Sequence, residues 1–97
     1  MDREEVIRAA LPLLKQKEFV LRAALFGSFA RAGQTETSDV DVLVDVQPET
    51  GLFALEELRL SLERILGRHV DVVSRRGVKP RLLRHILPDQ LIFYEKG

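Results

Sequence analysis

"LFGSFARAGQTETSDVDVLVD", Leu25 to Asp45, joins a Gly-Ser turn to a run in which valine and aspartate alternate. The alternation predicts a strand, with Val40, Val42, Val44 and Val46 on one face and Asp39, Asp41, Leu43 and Asp45 on the other. Two like charges two residues apart on one face repel, so something must compensate Asp39 and Asp41. Upstream, "FVLRAALFG" is short, apolar and closed by Gly27, and reads as a buried strand. "SFARAG" then reads as one or two helical turns opening at Ser28.

Outward from this stretch, "REEVIRAALPLLKQK" has apolar residues at Val6, Ile7, Ala10, Leu13 and Leu14, a helical spacing that Pro12 should kink or cut short. Glu4 and Glu5 early and Lys15 and Lys17 late suit the helix dipole. "TGLFALEELRLSLERILG" sets Leu55, Leu58, Leu62, Ile65 and Leu66 on one helical stripe, with Gly67 suited to the C-terminal cap. "HVDVVS" predicts a further strand, with Asp71 facing away from Val70 and Val72. "KPRLLRHIL" reads as a helix between Pro80 and Pro88, and "LIFYE" as a final short strand. The order α-β-α-β-α-β-α-β predicts an α/β (α+β) fold, a small mixed β-sheet with helices packed on it.

The 97 residues suit a single domain, 1–97, and the 45% hydrophobic content supplies a small core. A chain of this size buries roughly 60–65% of its unfolded surface, so a partner can add to its stability. Lys plus Arg equals Asp plus Glu at 15 each, which argues against a protein whose main task is coating nucleic acid and leaves homo- or hetero-association open. No cysteine is present, which excludes disulfides, thiolate catalysis and cysteine-ligated zinc. No apolar run approaches the ~20 residues of a membrane span, and "MDREEVIRAA" is too charged for a signal peptide, so the expected location is cytoplasmic, with no membrane partner.

Three features carry chemistry. Gly27 permits a tight turn, and Ser28, with the free amides beside it, makes a site for phosphate oxygens, although Gly-Ser is also a common turn. Asp39 and Asp41 stand roughly 6.5–7 Å apart at the backbone and can jointly hold one or two Mg²⁺ ions, which also bind substrate phosphates. Two metals about 3.5–4 Å apart can stabilise attacking and leaving oxygens of an in-line displacement. Asp71, if its strand neighbours that of Asp39 and Asp41, completes the metal site or accepts a proton from an attacking hydroxyl. Each alone has a plain structural alternative: punctuation, a solvent-facing strand, a polar sheet position.

Taken together, Gly27-Ser28, Asp39-Val40-Asp41 and a later strand aspartate resemble the nucleotidyltransferases of the polymerase beta superfamily, and more narrowly the minimal nucleotidyltransferase (MNT) family. "GSFARAGQTETSDVDVLVD" carries the resemblance and "LGRHVDVVSRRGVKPRL" supports it, over nearly the whole chain. It implies the polymerase beta-like nucleotidyltransferase fold and transfer of a nucleoside monophosphate to a hydroxyl with release of pyrophosphate. Ser28, with the amide beside Gly27, would hold the β- and γ-phosphates of ATP. Asp39 and Asp41 would bind Mg²⁺, and Asp71 would be the third acid or general base. Members of the MNT family resemble the antitoxin half of toxin–antitoxin pairs whose partner is a HEPN ribonuclease, which they silence by attaching AMP to a tyrosine. The implied partner is thus a cognate HEPN-type toxin. A non-catalytic antitoxin that occludes its partner, or transfer to an RNA end or a small molecule, are the alternatives. Where family members often carry Gly-Glu after the arginine, this chain has Ala32-Gly33.

Arg31, one helical turn beyond Ser28, could reach the triphosphate, brace an aspartate, or be a plain surface arginine. Asp45 is read as lying outside the site. Arg75, Arg76, Lys79, Arg81, Arg84 and His85 form a basic stretch that could steer a triphosphate, contact RNA, dock an acidic partner or simply be solvated. No aromatic residues are interleaved with it for base stacking, and His69 and His85 lack the companions of a zinc site.

Overall fold

The computed structural model describes residues 1–31, 33 and 38–97. Helix α1 (Arg3–Gln16) is followed by strands β1 (Val20–Phe26) and β2 (Val40–Val46), helix α2 (Leu52–Leu66), strand β3 (Val70–Ser74), helix α3 (Pro80–Ile86) with a 3₁₀ turn (Leu87–Asp89), and strand β4 (Leu91–Glu95). The strands form one mixed sheet in the order β3-β2-β1-β4. β1 is antiparallel to both β2 and β4, whereas β2 and β3 run parallel, joined through α2. The mixed sheet expected from the sequence is present.

Alternation in the strands divides the sheet's two faces. Val40, Val42 and Val44 of β2, Ala23 and Leu25 of β1 and Val70 of β3 pack with Val6, Ala10 and Leu14 of α1 and Leu58 and Leu62 of α2. Burying a side chain such as Leu58 or Leu62, both almost wholly inaccessible, stabilises by roughly 1.5–3 kcal/mol. The acid-bearing face is not simply solvent-facing: Leu43 and Ala24 are buried on it as well.

Three local expectations need correction. Pro12 does not end α1, which runs on to Gln16. Pro12 and Arg8, whose carbonyl loses its intrahelical donor, are both exposed, so water can satisfy that oxygen. The helix is anchored instead by a capping box, in which Asp2 accepts from the Glu5 amide at 2.9 Å and Glu5 accepts from the Asp2 amide at 3.1 Å. Ile65 is 46% exposed, and the buried side of α2 is formed by Leu58, Ser61, Leu62 and Leu66. Gly67 does close the helix in the left-handed conformation, at φ 68°. Finally, residues 27–31 form a turn, not a helix, with one bond from the Arg31 amide to the Gly27 carbonyl at 3.2 Å. The remainder of that predicted helix includes Ala32, which with residues 34–37 lies outside the described residues.

Candidate active site

The parallel register of β2 and β3 sets Asp41 directly beside Asp71, as Val40 faces Val70 and Val42 faces Val72. The neighbour relation on which a third acid depended therefore exists. Asp39 stands one residue before β2, at the same end of the sheet. Arg68 fixes that entry by donating to the Ser38 carbonyl at 3.1 Å, and the Val40 amide donates to the His69 carbonyl at 3.0 Å.

The antiparallel register on the other side pairs Phe26 with Asp41, which delivers the following turn to the same end. Gly27 there has φ +71°, and a Cβ on it would stand 2.3 Å from Oδ2 of Asp41. Glycine is required twice over, by the left-handed backbone and by the carboxylate pressed against it. Arg3 of α1 clamps the turn from outside, donating from Nε to the Phe29 carbonyl at 2.9 Å and from Nη2 to the Ala30 carbonyl at 2.8 Å. The Arg68 guanidinium lies 5.4 Å from the ring centre of the fully buried Phe29, a cation–π contact that ties the turn to the entry of β3. Among the described residues, the amides of Ser28, Phe29 and Ala30 make no backbone hydrogen bond.

Electrostatically the site is crowded with negative charge. Asp41 is raised from 3.8 to about 6, first by burial, then by the charge and hydrogen-bonding carboxyl of Asp71, and by Asp39. Among the described residues no lysine or arginine pairs with Asp39, Asp41 or Asp71. His69 lies beside them, with Nε2 3.0 Å from Oδ1 of Asp71 and Nδ1 3.1 Å from Oε2 of Glu63. Its pKa is raised, chiefly by the hydrogen bond to Asp71. Asp39, His69 and Asp71 each offer a ligand atom, all within 4.8 Å of one another. A divalent cation suits such a donor set, because it would relieve the repulsion that protonation of Asp41 relieves in its absence.

Of the residues singled out from sequence, Gly27, Ser28, Asp39, Asp41 and Asp71 come from one end of the sheet and the turn that joins it. Arg31 instead faces Asp89 of the 3₁₀ turn, at 3.8 Å, and both are largely exposed. Asp45 lies at the far end of β2 and pairs with Arg75 at 2.6 Å and Arg22 at 3.8 Å, which accounts for it as a structural residue. Within the basic stretch only Arg75 has an ion-pair partner among the described residues. A groove of about 710 Å³ between the start of α2 and the β3–α3 connection lies beyond the other ends of β2 and β3, and none of these site residues lines it. Sequence reasoning missed Arg3, Glu63 and Arg68, and set His69 aside with His85. The signal available was the charged cluster "GRHVD" immediately before Asp71; Arg3 and Glu63 left no local mark.

Comparison with known proteins agrees with this geometry. Residues 10–97 match the family described as polymerase beta, nucleotidyltransferase. The chain is 41% identical over 87 residues to the "Putative protein adenylyltransferase MJ0435" of Methanocaldococcus jannaschii, covering 90% of this chain and 92% of that protein. It is 33% identical over 84 residues to the protein adenylyltransferase MntA of Thermococcus cleftensis, covering 87% and 85%. Its backbone resembles that of a chain in the structure of tri-AMPylated Shewanella oneidensis HEPN toxin in complex with MNT antitoxin, with a TM-score of 0.78. That likeness covers 97% of this chain and 73% of the other at 20% identity, and is one of fold. No described helix is long and apolar enough to cross a membrane. With its acids paired across two parallel strands beside a Gly-Ser turn, the chain belongs to the polymerase beta nucleotidyltransferase family.

Proposed function

We propose that this protein transfers AMP from ATP to a hydroxyl of a partner protein, a tyrosine of a cognate HEPN toxin, and works as the antitoxin of that pair in the cytoplasm. The observation that carries the reading is the register of β2 on β3, which sets Asp41 beside Asp71 next to the turn at Ser28. The adenylyltransferase names of its relatives support the choice of AMP and of a protein acceptor.

In this reading the turn amides that make no backbone hydrogen bond among the described residues, with the Ser28 hydroxyl, bind the β- and γ-phosphates. Asp39, Asp41 and Asp71 would hold Mg²⁺, which when bound supplies charge neutralisation at the phosphates and lowers the barrier to in-line displacement. The acceptor hydroxyl oxygen forms the bond to the α-phosphorus. The bond from that phosphorus to the bridging oxygen breaks, and pyrophosphate leaves with its electron pair. The hydroxyl proton passes to a carboxylate, and the exposure of Asp71 beside Asp41 supports it in that role. Arg31, largely exposed beside Asp89, can swing toward the triphosphate tail.

The test is to incubate the protein and its cognate toxin with Mg²⁺ and ATP labelled at the α-phosphate. Label should appear on the toxin with the wild type and not with Asp41→Asn. Toxin neutralised equally well by Asp41→Asn would show that occlusion, not transfer, is the working principle.

A further inference from the structure

We propose that His69 is a positioning residue: set beside Glu63, it fixes Oδ1 of Asp71 and so orients that carboxylate toward the reaction centre. The inference rests on the reading of Asp71 given above. Its basis is a chain of contacts that ends on rigid backbone. Oε2 of Glu63 accepts from the Val70 amide at 3.0 Å and from Nη1 of Arg59 at 2.8 Å, and it lies 3.1 Å from Nδ1 of His69. Arg59 is itself held on its other side by Glu56, one turn earlier on α2. The imidazole therefore lies between two carboxylates, with Nδ1 toward the anchored Glu63 and Nε2 meeting Oδ1 of Asp71 at 3.0 Å.

A lone exposed histidine–aspartate pair would contribute little, because holding two mobile side chains together costs entropy. Here that cost is reduced, since Glu63 is tied to the first residue of the same strand that carries Asp71. Helix α2 and strand β3 thus share one rigid joint, and His69 extends it to the acid two residues on. Partners that orient a ligating carboxylate or imidazole typically contribute 10–100-fold to metal affinity or activity. Glu63 does not belong to the group of ligand atoms formed by Asp39, His69 and Asp71; it reaches the site through His69 and through the Val70 amide, and Glu63→Gln, which keeps an acceptor for that amide, isolates the first route.

The experiment measures Mn²⁺ binding to the nucleotide-free full chain by electron paramagnetic resonance, alongside adenylyl transfer, for His69→Ala, His69→Gln, Glu63→Gln, its double variant with His69→Ala, and Asp71→Asn. His69→Ala should weaken Mn²⁺ binding about tenfold and lower kcat similarly, with KM for ATP within about twofold. His69→Gln should recover most of both, because its amide N–H can reach the same oxygen. Glu63→Gln should weaken binding in the wild type and add nothing in the His69→Ala background, the signature of two residues acting in series. His69→Ala behaving as wild type, His69→Gln no better than His69→Ala, or additive losses would each overturn the proposal. Should Glu63→Gln unfold, the histidine variants decide. Asp71→Asn that binds and transfers normally would instead remove the reading of Asp71. An inactive Asp71→Asn beside a fully active His69→Ala would remove only the inference about His69.

Discussion

Asp41 is pressed between the backbone of Gly27, the carboxyl of Asp71 and the charge of Asp39, and its elevation to about 6 measures that crowding. Replacing it with asparagine keeps the shape and removes the charge. Asp41→Asn should therefore lower the transfer rate by roughly 100-fold or more, since charge stabilisation by a metal contributes several kcal/mol to such a barrier. The same variant should unfold at a temperature equal to or above that of the metal-free wild type, as judged by thermal melting. Gly27→Ala makes the opposite point. The methyl would collide with Oδ2 of Asp41 and strain a left-handed backbone by about 1–2 kcal/mol, so both the melting temperature and the activity should fall. Gly27, Ser28, Asp39 and Asp41 were legible as a pattern because their chemistry and spacing are local. That Gly27 is demanded by Asp41 was not legible, because 13 residues of chain separate their strand ends.

At the scale of elements, the turn at Ser28 is shaped by its surroundings more than by its own sequence. Arg3, on the first turn of α1, holds the carbonyls of Phe29 and Ala30, and Arg68 covers the Phe29 ring. Arg3→Ala should raise KM for ATP several-fold while costing about 1.5–3 kcal/mol of stability, the range for hydrogen bonds to charged groups; steady-state kinetics and denaturant melts separate the two. Leu62→Ala, in the buried side of α2, should cost about 2–5 kcal/mol in a denaturant melt without altering the residues of the site. The helix periods that place α1 and α2 were clear in the sequence. The helical reading of the turn after Gly27 failed because apolar spacing over a few residues cannot tell a helix from a turn held by distant arginines.

For the whole molecule, the acid cluster links stability to pH and to metal. Asp41 has a raised pKa, so the folded chain holds that proton more tightly than the unfolded chain does. Its contribution is complete below about 3.8 and is lost as pH rises through about 6. Metal-free protein should thus lose this contribution as pH rises from about 3.8 to about 6, seen as a falling melting temperature that Asp41→Asn flattens. Mg²⁺ or Mn²⁺ at pH 7.5 should restore the loss by binding the native state alone, and a chelator should reverse it. A melting curve insensitive to both pH and divalent metal would contradict the linkage.

Local chemistry alone determined which stretches alternate, which helices have an apolar side, where glycine and proline punctuate the chain, and which acids could bind a cation. Those properties depend on neighbours within a few residues, and so survive reading in one dimension. Only the folded sheet decided that Asp41 faces Asp71, that Arg31 faces Asp89 while Arg3 holds the Gly-Ser turn, and that His69 stands between Glu63 and Asp71. Strand register and helix docking are set by burial of the shared core, and side chains far apart in the chain meet only once that core has closed.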